Sequence, residues 1–247
     1  MSNRKYFLSI IFAVLILGAL ALPVFAVTYN PGVTVGQYVK YGNFSGNGQG
    51  FENFNDYGFL QFQVTGVSGK EVTLLSTSQY KNGTALPGNG TTVVWNIETG
   101  TADGTPTTQG PIIAANLNQG DAIPPPDTYS VNQSESQTYL GSTRTVNVLN
   151  VEISTPDYNS TTTYVYDKIS GMLLEASGQT TTASEPQPVT SSYSYSVTST
   201  NIFSSASTPT NNLPIAYIIA AVIVLAIVMV AIAILVRRRK CFSAPRI

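Results

Sequence analysis

The chain has 247 residues, of which 43% are hydrophobic and only 10% charged, with 14 Tyr, 10 Phe, one Cys and no His. One cysteine excludes a disulfide framework, and the absence of histidine excludes imidazole triads, histidine metal ligands and histidine acid–base catalysis. A chain this rich in aromatics with a formal charge of -1 is not broadly disordered.

The first residues read Met1-Ser2-Asn3-Arg4-Lys5, followed by an apolar run over 6–22 broken by Ser9, and then Pro23-Val24-Phe25-Ala26. A basic start, an apolar core and a small-residue end form a secretory signal peptide over residues 1–26, with cleavage expected after Ala26. The apolar core is long for a signal, so retention as an uncleaved anchor is the alternative reading.

Residues 27–203 follow a period of two. In 57–67 (YGFLQFQVTGV), Leu60, Phe62 and Val64 share one face, and Ser68-Gly69-Lys70 turns the chain into 71–80 (EVTLLSTSQY), a hairpin pattern. Asn82-Gly83 and Asn89-Gly90 bracket the connection into 91–98, which carries Trp95. Strands are also expected over 34–41, 134–140, 143–154, 161–167, 172–177 and 189–197; in the last, Val189, Tyr193, Tyr195 and Val197 alternate with Ser and Thr. About nine short strands between turns predict an all-β domain: an antiparallel strongly curved sheet, a sandwich or a partial barrel. Only Ile112 to Leu117 has the composition of a short helix, and Ile123-Pro124-Pro125-Pro126-Asp127 must be extended because proline fixes φ.

Residues 204–213 read as a Ser/Thr-rich linker, whose ten residues reach at most about 33 Å. Residues 214–236 are then expected to form a transmembrane helix, since 215–236 (IAYIIAAVIVLAIVMVAIAILV) lacks charge and spans about 33 Å at ~1.5 Å per residue. The basic run Arg237-Arg238-Arg239-Lys240 opens a tail over 237–247 that is expected to stay cytoplasmic, placing the β domain outside the cell. Cys241 follows that run and is either an unmodified thiol or a palmitoylation site.

Charge divides along the same lines. Between residues 27 and 213 stand five basic residues against all 13 acidic ones, a net of -8, which argues against a nucleic-acid partner. The expected partners are the bilayer, through the C-terminal helix, and a glycan, a lipid or another envelope protein. No cofactor is expected.

Five sequons stand at Asn43, Asn82, Asn89, Asn132 and Asn159, each in an expected turn or strand end. The segment 42–59 (GNFSGNGQGFENFNDYGF) interleaves Phe44, Phe51, Phe54, Tyr57 and Phe59 with Gly, Asn and acids. Two readings fit it: a loop that offers aromatic faces and amides to a sugar or apolar ligand, or a loop pinned to the core by its aromatics. Glu52 with Asp56, or Asp103 with Asp121 and Asp127, carries no calcium-loop pattern, and carboxylate positions in a sequence say nothing of their separation in space. Without G-x-S-x-G, a P-loop, G-x-G-x-x-G, H-E-x-x-H or C-x-x-C, no enzyme chemistry is expected.

The stretch 164–175 (YVYDKISGMLLE), with 35–41 (VGQYVKY) and 196–202 (SVTSTNI), resembles archaeal exported proteins of unassigned function that carry one β-rich ectodomain and a C-terminal membrane helix. The aromatic-Asp-Lys-x-x-Gly hairpin is also similar to one in lipoprotein-carrier-like half-barrel domains, which hold acyl chains on a sheet and plug the cavity with helices. The first resemblance implies a surface binding, adhesion or cell-envelope module; the second implies a membrane-tethered carrier of a lipid or apolar ligand.

Overall fold

The computed structural model describes residues 27–107, 110–124, 129–183 and 187–204. The expected signal segment, the linker beyond Ser204, the transmembrane helix, the basic tail with Cys241, and Pro125 to Asp127 lie outside the described residues. Among the described residues, no helix is long and apolar enough to cross a membrane.

The domain is all-β and antiparallel. Its strands are β1 (Tyr38–Asn47), β2 (Tyr57–Ser68), β3 (Glu71–Tyr80), β4 (Thr92–Asn96), β5 (Thr101–Ala102), β6 (Thr105–Pro106), β7 (Ala122–Ile123), β8 (Tyr129–Ser130), β9 (Gln133–Tyr139), β10 (Ser142–Thr155), β11 (Tyr158–Asp167), β12 (Leu173–Thr182) and β13 (Val189–Thr200). Nine of these have five residues or more, and the other four are two-residue pieces.

Eleven strands form one open sheet in the order β6-β5-β4-β3-β2-β1-β13-β12-β11-β10-β9, and β7 pairs only with β8. Two meanders therefore run outward from the centre, where the first long strand pairs with the last: Val39 faces Thr200 and Gly46 faces Tyr193. Among the described residues the long strands therefore lie in one sheet rather than two, and a length of chain packs on it.

That length of chain is a strap over residues 110–117, which the sequence reads in part as a short helix. The structure corrects this reading. Ile112 bridges Met172, the Ile113 N–H donates to the Gly171 carbonyl at 2.9 Å, and the Leu173 N–H donates to the Pro111 carbonyl at 2.9 Å. The Ala115 and Asn116 N–H groups donate to the Asn30 and Lys168 carbonyls, and Asn116 has φ +59. With its donors taken by the β11–β12 turn and the N-terminal segment, the strap has no need of helical pairing.

Ile112, Ile113, Ala114 and Leu117 are thereby buried against both halves of the sheet. Trp95 of β4 packs on Gly110, where an added Cβ would sit 2.0 Å from its ring, while Tyr166 of β11 donates to the Gly110 carbonyl at 3.1 Å. One core joins these to Val39, Tyr41, Val64, Val72, Leu74, Leu149, Leu174, Ala176 and Val197. Tyr41, fully buried, donates to the Leu173 carbonyl at 2.8 Å, so its phenol is satisfied inside the core.

The β11–β12 hairpin ends in the expected tight turn. Gly171 takes φ +75, and a Cβ there would meet the Ile113 carbonyl at 2.1 Å, so glycine is needed for conformation and for space. Met172, Leu173 and Leu174 then return to the core.

Candidate functional site

The segment read as a loop over 42–59 is largely strand. β1 continues to Asn47 through a bulge, where Asn43 adopts φ +52 and the pairing shifts between Gly42 and Ser45. The bulge sets Phe44 on the inner face beside Tyr195, ring centroids 5.7 Å apart. The true loop, 48–56, folds back over β1 and ends in a 3-10 turn, Phe54–Asp56.

This fold-back is held in two ways. The Gly46 N–H donates to Asn55 Oδ1 at 3.0 Å and Asn55 Nδ2 donates to the Gly46 carbonyl at 2.7 Å. A Cβ on Gly46 would lie 2.8 Å from the Phe54 Cβ and 3.1 Å from the Phe51 Cβ, so its absence lets the loop rest on the strand. Phe51 stacks on Tyr193 at 4.9 Å, and Phe54 meets Phe44, Phe51 and Tyr57 at 5.1–5.8 Å. On the far side, Gly178 leaves room for the Tyr193 ring, which its Cβ would approach to 2.6 Å.

Four of the five aromatics named in the sequence, Phe44, Phe51, Phe54 and Tyr57, therefore meet in one cluster, and their rings face one another and the sheet. Phe44 is buried; Phe51, Phe54 and Tyr57 are half-buried. Phe59 points the other way and carries Lys40 over its ring at 4.1 Å. Sequence reasoning does not place Tyr193 and Tyr195 in this cluster, although their alternation marks them as facing one way.

Burial raises the phenol pKa of Tyr41, Tyr164, Tyr166 and Tyr195 above the ordinary value of 10.0, with neighbouring tyrosines adding to the effect. Tyr139 is raised likewise, first by burial and then by Glu175. Protonated at neutral pH, Tyr41 and Tyr166 donate to the Leu173 and Gly110 carbonyls, and Tyr139 to Gln137 and Glu175.

Beside the cluster, past the edge-to-face pair of Tyr57 and Tyr80 at 5.6 Å, an open recess of about 470 Å³ is lined by Asn53, Asp56, Tyr80, Lys81 and Asn82. Lys81 is held in place by its Nζ donating to the Asn55 carbonyl at 2.6 Å. A phenol, two amides, a carboxylate and an ammonium group suit hydrogen bonding to a sugar or a polar peptide. They do not assemble a nucleophile with its base.

Three further carboxylates named in the sequence each accept a single backbone N–H: Glu52 from Gly50, Asp103 from Val94 and Asp121 from Asn118. Among the described residues, no three His, Cys, Asp or Glu side chains stand close enough to hold a metal ion.

The five sequon asparagines are all exposed. Asn82, Asn89 and Asn132 lie outside strands and Asn159 is the second residue of β11, at a turn or strand end as expected, whereas Asn43 lies inside β1.

Neither the protein-family models nor the curated proteins contain a match to this chain.

Sequence reasoning misses one further constellation. Arg144, the sole arginine between residues 27 and 213, forms an ion pair with Asp167, which is fully buried. The same carboxylate accepts from the Ser170 N–H at 2.8 Å and from Ser170 Oγ at 2.7 Å, and the guanidinium lies 5.0 Å from the Phe203 ring. The Arg144–Asp167 pair thus joins β10 and the β11–β12 turn to Phe203.

Proposed function

We propose that the protein is a single-pass cell-surface protein whose acidic β domain acts as a non-enzymatic binding, adhesion or cell-envelope module. In this reading residues 214–236 cross the bilayer, 237–247 stay in the cytoplasm, and the domain contacts a glycan or another envelope protein through its polar exterior. The charge split supports the orientation: -8 on the outer part against the Arg237–Lys240 run.

The observation that carries the binding-module reading over lipid carriage is the filled inner face. Where a carrier would seat an acyl chain, this sheet is covered by its own strap and by Phe54, with Phe51 stacked on Tyr193. The void left among Trp95, Ile97, Ile112, Ile113 and Ile123 is about 10 Å³. That is room for about one water. The roomier recesses, about 300 Å³ beside the strap and about 470 Å³ beside Tyr80, are open and lined mainly by polar side chains, whereas a carrier needs an apolar cavity of ~300 Å³ or more.

Native mass spectrometry of the membrane-extracted chain tests this reading. The expected spectrum shows protein and covalent sugar alone. A lipid retained in one-to-one ratio after detergent exchange, and released on unfolding, would favour the carrier.

A further inference from the structure

The two edges of the open sheet differ. One ends in β5 and β6, each of two residues, with Pro106 terminating the last. Short strands and proline are the usual means of blunting an edge against further pairing.

The other edge is β9, Gln133–Tyr139, which pairs with β10 over seven consecutive positions without a bulge. It has no lysine and no proline, and a single charge, on Glu135. Every second residue of such a strand turns its N–H and C=O away from the sheet, and among the described residues no strand lies beyond it.

The side chains of β9 are also held flat along one face. Glu135 accepts from Gln133 and, at 2.6 Å, from Gln137, while the Tyr139 hydroxyl lies 2.6 Å from Gln137 Oε1 and 3.1 Å from Glu175. The strand is therefore set out as a template before any partner arrives, which lowers the ordering cost of pairing.

We propose that β9 pairs with β9 of a second copy of this chain, antiparallel, about a two-fold axis at Ser136. The strand's own sequence selects the occupant and the register. Centring on Ser136 places Glu135 opposite the partner's Gln137, Ser134 opposite the partner's Thr138, and serine against serine at the axis. Every cross-strand pair is then polar and hydrogen-bonding, without opposed like charges. Centring one residue earlier sets two Glu135 carboxylates against each other, which is unfavourable. The chosen register also keeps the inner faces of the two sheets on one side, as the period of two requires. The contact is isologous and closes at two copies.

The test uses the full chain in its membrane, carrying Cys241→Ser so that no native thiol competes. Ser136→Cys places two thiols across the axis, and mild oxidation is expected to convert most of the chain to a disulfide-linked dimer. Thr105→Cys on the blunted edge is expected to give only background cross-linking. In detergent, light scattering should report a dimer for the wild type and for Ser136→Thr, and a monomer for Ser136→Lys, which opposes two ammonium groups at the axis. Ser136 is exposed, so each variant leaves the fold intact. A wild-type monomer, equal cross-linking of the Thr105→Cys and Ser136→Cys variants, or a Ser136→Lys dimer would each overturn the pairing.

Discussion

Arg144 grips the buried carboxylate of Asp167 at two points, Nε to Oδ1 at 2.7 Å and Nη2 to Oδ2 at 3.0 Å. A carboxylate with no exposed surface is tolerable only while its charge is answered and its lone pairs are used, and here the guanidinium and Ser170 do both. The pair ties β10 to the turn that holds the strap, so its loss is felt across the inner face.

Arg144→Met is accordingly expected to destabilise the domain by about 3–5 kcal/mol, because it leaves a buried charge without a partner. The double variant Arg144→Met with Asp167→Asn should recover a large part of that loss. Urea unfolding followed by tryptophan fluorescence, reporting through Trp95, checks both. Equal losses in the single and double variants would show that the charge is not the source.

The aromatic loop serves as an anchor. Phe51→Ser and Phe54→Ser should each cost about 1–3 kcal/mol through lost burial and ring contacts, and should free residues 48–56 for proteolysis. A Phe51→Ser/Phe54→Ser double variant that is as stable as the wild type but loses binding to its ligand would instead make these rings the contact surface.

The buried phenols set the alkaline limit of the fold. Their folded-state pKa values lie above that of an unfolded tyrosine, so their contribution is complete below about pH 10 and is lost as pH rises further and the unfolded chain ionises first. Stability is therefore expected to be flat through neutrality and to fall above about pH 10. Absorbance at the tyrosinate band should show Tyr41, Tyr164, Tyr166 and Tyr195 ionising only together with unfolding, rather than alongside the exposed phenols.

The sequons are not equivalent. Asn82 lies in an exposed turn, with its Oδ1 accepting from the Thr84 N–H at 2.9 Å and its Nδ2 directed to no partner among the described residues. Asn89 and Asn132 likewise accept through Oδ1, from the Ser78 and Asn150 N–H groups, whereas Asn43 spends its Nδ2 on Ser196 Oγ at 3.1 Å and Asn159 is paired on both sides within the sheet. For sugar added after folding, glycopeptide mapping should find Asn82, Asn89 and Asn132 more fully occupied than Asn43 and Asn159. A bare Asn82 beside modified Asn43 or Asn159 would contradict this ranking.

What is legible in the sequence is local. The turns at Gly69, Gly141 and Gly171 are set by neighbouring residues, and the hairpins they close follow. The strap is misread because an apolar run such as Ile112 to Leu117 has no period of its own, and its extended state is decided by Gly171, Lys168 and Asn30 from elsewhere in the chain. The bulge at Asn43 and the glycine at 46 look like loop chemistry, which hides the second half of β1. The four loop aromatics can be picked out by composition, but their partners Tyr193 and Tyr195 arrive through the pairing of the first strand with the last, which no local pattern encodes. The Arg144–Asp167 pair is hidden for the same reason, although the solitary arginine is a signal.

In the proposed reading the β domain stands outside the cell on a C-terminal helix over residues 214–236. Adding a broad-specificity protease to sealed cells tests it most directly, read with an antibody against the 237–247 tail. Intact cells are expected to lose the full-length band and to retain a short membrane-bound fragment that keeps the tail. A chain that resists the protease in sealed cells and is cut only after lysis would contradict it.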